Sequence, residues 1–187
     1  MRCFVVTLFA ACAALSVVGQ TLAQAPTPAP GAPTPAPAAP APVPDQMPFD
    51  IAYGPAITAD RAAKVVAAAV EEAKKSPRNW KLAIAVVDPN GDLVYFYKMD
   101  QTQVASVAIA QGKARTAARY RRPSGAFFSV MQNPAGAYIS TLDPTLVASH
   151  GGFPLIEGGK LIGAIGCSGA TGDQDGVACK AGADTVK

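Results

Sequence analysis

Leu82-Ala83-Ile84-Ala85-Val86-Val87-Asp88-Pro89-Asn90-Gly91-Asp92-Leu93-Val94-Tyr95-Phe96-Tyr97 is the stretch that decides the fold. Every side chain over residues 82–87 is apolar, the pattern of a short strand covered on both faces. Asp88-Pro89-Asn90-Gly91 then forms a turn, because proline sets φ and Asn or Gly accepts φ above zero. Residues 93–97 return as a second strand, so the stretch predicts a β-hairpin. Helices must cover its first strand.

Candidates for that cover flank the hairpin. Upstream, Thr58 is placed to cap a helix in which Ala62, Val65, Val66, Ala69, Val70 and Ala73 recur with helical rhythm. Asp60 complements the dipole at its start, and Pro77 ends it. Downstream, the Ala-rich residues 104–120 predict a second helix with basic residues toward its C-terminal end, stopped by Pro123. Ser124 is placed to cap a short helix through Phe127, Phe128 and Met131, and residues 133–149 lack a usable period. Residues 152–157 and 160–167 predict a second hairpin across Gly158-Gly159, and residues 172–185 a closing helix. The order helix, hairpin, helix, hairpin, helix defines an α+β domain of antiparallel pairs with helices packed on the sheet.

The folded part occupies residues 50–187, the size of one domain. Residues 1–23 read as a cleavable signal peptide: Arg2 is followed by an apolar run over residues 4–18, too short to span a bilayer. Small residues allow a cut after Ala25 or after Ala23, and the second is preferred because the first leaves Pro26 beside the cut. Residues 24–49, nearly all Pro and Ala, form a disordered linker, since they cannot bury enough apolar surface to order themselves. As polyproline II, ~20 such residues reach roughly 60 Å. The expected location is periplasmic or secreted. Sixteen Lys and Arg stand against 13 Asp and Glu, a near balance that argues against general nucleic-acid binding. Cys3 and Cys12 leave with the signal, so Cys167 and Cys179 meet an oxidising compartment. If a helix folds back on the strand that carries Cys167, the two sulfurs come level. A disulfide and a pair of buried thiols both remain open.

Five stretches in series carry a resemblance: residues 83–88 with Gly91, Lys98-Met99-Asp100, Lys113-Ala114-Arg115-Thr116-Ala117, Gly151-Gly152-Phe153-Pro154 and residues 163–169. Together they resemble the GlcG/HbpS family, to which the C-terminal domain of PduO-type proteins also belongs. The resemblance implies a profilin-like α/β/α fold with a five-stranded antiparallel sheet flanked by helices. It also implies homo-oligomers and, in some relatives, haem binding. Haem-binding relatives use a His near the first helix, but residues 59–75 contain none. His150 is the single histidine, and it becomes the candidate axial ligand to haem iron. Gly151 and Gly152 would let a macrocycle approach the backbone, and Phe153, Phe127, Phe128 and Tyr138 would wall it. Arg115, Arg119, Arg121 and Arg122 are candidates for its propionates, with Lys113 and Thr116 as further ligand-binding candidates. No Cys-x-x-Cys-His motif occurs, which excludes covalent haem.

Other chemistries find less support. One histidine cannot build a multi-His metal triad, and Asp173, Asp175 and Glu157 fit a hard-cation site less simply than the first two fit the first turn of a helix. Ser168 lacks the spacing of a nucleophile elbow. Three readings stand: an exported small-ligand-binding protein, above all for haem; an enzyme acting on a small carbonyl or hydroxy acid, suggested by the operon setting of some relatives; and an oligomeric accessory protein that binds a partner.

Overall fold

The computed structural model describes residues 50–186; the expected signal peptide of residues 1–23 and the expected linker of residues 24–49 lie outside the described residues. The chain enters through a two-residue strand, β1 (Ala52–Tyr53), and passes to helix α1 (Ala59–Lys75). Thr58 caps α1 by accepting the Arg61 N–H, and the periodic face Ala62, Val65, Val66, Ala69, Val70 and Ala73 is buried. The hairpin follows as β2 (Ala83–Val87) and β3 (Leu93–Lys98), with every residue of β2 buried. Helix α2 (Ser106–Tyr120), the short helix α3 (Gly125–Met131) and a 3-10 helix over Pro134–Thr141 lead to the second hairpin, β4 (Gly152–Glu157) and β5 (Lys160–Ser168). Helix α4 (Gly172–Ala183) closes the domain behind a capping box of Thr171 and Gln174.

The five strands form a mixed sheet, which corrects the expectation of an antiparallel one. Both hairpins are antiparallel, and β2 joins them by pairing antiparallel with β5 from Ala83↔Ser168 to Val87↔Ala164. That pairing uses only the last five of the nine residues of β5. The edge beside its first residues would be left with open backbone groups, and β1 fills it in parallel, Ala52↔Lys160 and Tyr53↔Leu161. A two-residue strand carries no period, so its direction was not readable from residue pattern.

The two faces of the sheet are built from different sizes of side chain. Leu82, Ile84, Val86, Ile165 and Cys167 pack with α1 and with Ala178 and Cys179 of α4. The opposite face presents Ala83, Ala85, Val87 and Ala164 to Ala110, Ala114, Ala117 and Ala118 of α2. Small side chains on both sides let α2 lie almost on the sheet backbone: a Cβ at Gly166 would stand 2.5 Å from the Ala114 amide nitrogen. On the first face Cys167 of β5 and Cys179 of α4 are joined as a disulfide, their Cα atoms 5.6 Å apart.

Candidate functional site

His150 stands two residues before β4, and its side chain is 39% exposed. Its Nδ1 lies 2.7 Å from Oδ1 of Asp173, in the first turn of α4. A carboxylate oxygen accepts, so the hydrogen of this contact sits on Nδ1, and in the neutral ring Nε2 carries the lone pair. Phe128 meets the ring edge-on at 5.2 Å. On the Nε2 side the ring faces Gly125, where a Cβ would fall 3.0 Å from Nε2 and collide with Cδ2. Glycine there lets the backbone at the start of α3 pack against the Cδ2–Nε2 side of the ring. His150 lines a groove of about 410 Å³ together with Pro123, Gly125, Ala126, Gly152 and Phe153. His150 also borders a hollow of about 220 Å³ with Phe128, Gly172 and Asp173.

Lys113 lies beneath the loop. Its side chain is 2% exposed, and its ammonium donates to the Cys167 carbonyl at 3.0 Å and to Oδ2 of Asp175 at 2.8 Å. Asp175 is equally buried, and its Oδ1 accepts from the Ala170 N–H. Burial pushes the Asp175 carboxyl above its usual range, against the opposing pull of Lys113. Gly151 closes over this pair at φ 108°, where a Cβ would meet the Cys167 carbonyl, the Asp175 side chain and the Lys113 ammonium. The room at Gly152 is likewise taken by the Lys113 carbonyl and the Ser124 hydroxyl. Both glycines thus admit the protein's own atoms on the sides where a side chain would stand.

The structure gathers His150, Gly151, Gly152 and Phe153 at the groove and sets Lys113 directly below them. Thr116 is buried and accepts from the Val147 N–H at 3.0 Å. Arg115 and Arg119 abut Gly91 in the turn between β2 and β3, where Arg119 Nε donates to the Asn90 carbonyl. Neither arginine lines the groove. Arg121 donates to the Ile51 carbonyl and lies over Tyr53, while Arg122 stacks on Phe127 at 4.2 Å. Phe127 is buried, and Tyr138 is exposed on the 3-10 helix. Ser124 stands at the start of α3 but makes no cap; its hydroxyl turns to the His150 loop. Among the described residues no three His, Cys, Asp or Glu side chains gather to hold a metal ion. Asp173, Asp175 and Glu157 are divided among His150, Lys113 and Arg61.

Sequence reasoning placed Asp173 and Asp175 as a pair complementing the dipole of one helix. They lie on opposite sides of a buried boundary, one against the exposed histidine and the other against the buried lysine. The two-residue spacing at a helix start was the available signal, since it turns the two side chains some 200° apart. Gly125 gave no signal beyond its type.

The model of the family described as haem degrading protein HbpS-like matches residues 57–184. Protein GlcG of Escherichia coli K12 is 38% identical over 107 residues, covering 57% of this chain and 77% of its own. An uncharacterized 15.0 kDa protein of Citrobacter freundii is 38% identical over 116 residues, covering 61% and 81%. Among solved structures, a double mutant of HbpS from Streptomyces reticuli superposes with a TM-score of 0.65 at 28% identity, covering 80% of this chain and 99% of that one. PduOC, solved as a complex with haem, gives 0.63 at 25% identity, covering 71% and 96%. The matched residues run from the cap of α1 to the last turn of α4, and the chain belongs to the HbpS-like family.

Proposed function

We propose that this domain binds haem in the groove beside His150, with His150 Nε2 as the axial ligand. The observation that carries the reading is the bond from His150 Nδ1 to Asp173. A carboxylate on one ring nitrogen orients the imidazole, fixes its tautomer and raises the basicity of the other, the usual support for a metal-bound histidine. The residues present suit the group: an imidazole nitrogen on the side of the ring toward Gly125, beside a groove with Pro123, Ala126 and Phe153 as apolar walls. Haem supplies iron chemistry when bound. Asp173 would orient the imidazole of His150 as the iron's ligand, and Pro123, Ala126 and Phe153 would provide the apolar contact. The haem complex of PduOC, a structural neighbour, supports the same ligand class.

Titration of the purified protein with haemin should produce a Soret band saturating at micromolar concentration. His150→Ala should shift that band and weaken binding by about 10- to 100-fold, the scale expected when a ligand or its support is lost. A haemin spectrum unaltered by the wild-type protein would refute haem binding. An identical band in His150→Ala would refute the axial role.

A further inference from the structure

We infer that Ser124 is the positioning residue of the His150 loop, a role distinct from the helix cap its sequence position suggests. This inference rests on the haem reading for its consequence, but its geometry stands apart from any ligand. Ser124 is fully buried, in an αR conformation without a capping bond to α3. Its hydroxyl donates to the Ser149 carbonyl, the residue before His150. The same oxygen accepts the Gly152 N–H at 2.9 Å, two residues after His150. The Ser124 N–H donates in turn to the Gly152 carbonyl at 3.0 Å. One residue therefore ties the backbone on both sides of the histidine, and the imidazole stands at the apex of the closed segment.

Nothing else among the described contacts spans the loop this way. The Gly151 carbonyl accepts from the Cys167 N–H and holds one strand of the loop to β5. The Asp173 contact is a single bond from an exposed carboxylate, its side chain 88% exposed. An exposed bond of that kind orients a ring only if the backbone beneath it is already held. Gly125 follows Ser124 directly, so the clamp and the glycine packed against the Cδ2–Nε2 side of the ring come from neighbouring residues of one helix start. Fixing the loop at Ser124 fixes the ring relative to Gly125 and the groove they both line.

The test compares wild type, Ser124→Ala, Ser124→Cys and His150→Ala in the full chain. Without ligand, nitrogen chemical shifts of His150 should report the single Nδ1–H tautomer in the wild type and a mixture of tautomers in Ser124→Ala, with Ser124→Cys between them. With haemin, Ser124→Ala should bind about 10-fold more weakly and show the spectrum of His150→Ala, and added imidazole should restore a wild-type band to both. A cooperative urea transition in each variant shows that the fold is kept. Should Ser124→Ala fail to fold, Ser124→Cys carries the comparison. Loss of stability with an unchanged tautomer, or with an unchanged haem spectrum in a wild type that ligates through His150, overturns the inference. A wild type that binds no haemin refutes the haem reading alone, and the tautomer measurement still decides the clamp.

Discussion

Lys113 and Asp175 show how much can depend on two side chains that never reach the surface. A buried ion pair contributes little beyond what a well-packed apolar pair would, but removing one partner leaves a buried charge without compensation. Lys113→Met should therefore destabilise the domain by about 3 kcal/mol at pH 7, read by urea unfolding. The sign of its pH dependence follows from the direction of the Asp175 shift. Its folded value lies above the ordinary 3.8, so the acid is favoured in the folded state. That contribution is full below the ordinary value and is lost as pH rises through the folded one. Without Lys113 the carboxyl is raised further, so the deficit of Lys113→Met should shrink between pH 7 and pH 4. Glu157 and Asp143 run the other way. The Arg61 bond lowers the first and the Thr145 hydroxyl lowers the second, so their contributions hold above the ordinary carboxylate values and fade as pH falls through the lowered ones. Equal deficits at both pH values would contradict the Asp175 account.

Among the elements, α4 ties the buried pair to the exposed histidine. Its first turn bears Asp173 and Asp175, and its second is joined to β5 through Cys179. The bridge closes a loop of 12 residues, which restricts the unfolded chain and contributes on the order of 3 kcal/mol. Reduction of the protein should lower its melting temperature by on the order of 10 °C, read by calorimetry with and without reductant. An unchanged transition would show that the bridge adds nothing to the packing of α4. Legibility also differed among elements. The register of α1 could be read because its burial repeats with the helical period, and β2 because a short unbroken apolar run marks a strand covered on both faces. The 3-10 helix over Pro134–Thr141 has two buried residues, Gly136 and Ile139, too few to impress a period on the sequence. Helix α2 starts at Ser106 instead of residue 104, because Thr102 turns back to the Met99 carbonyl and the chain enters the helix late.

For the molecule as a whole, export is a reading of the first 23 residues and is separable from the fold. We propose that the mature chain begins at Gln24, which N-terminal sequencing of the exported protein would show. A start at Met1 in the exported fraction would refute cleavage. Composition, periodicity and five short motifs determined the α+β class, most element boundaries and the family. Each depends on residues close in the chain, and local sequence constrains local structure directly. Only the tertiary structure decided that β1 runs parallel, that Arg115 and Arg119 lie at the hairpin turn, that Asp173 meets His150 and that Ser124 clamps the loop around it. Those contacts join residues 23 to 108 positions apart, and their partners are chosen by how helices settle on the sheet, a choice that no single stretch of sequence encodes.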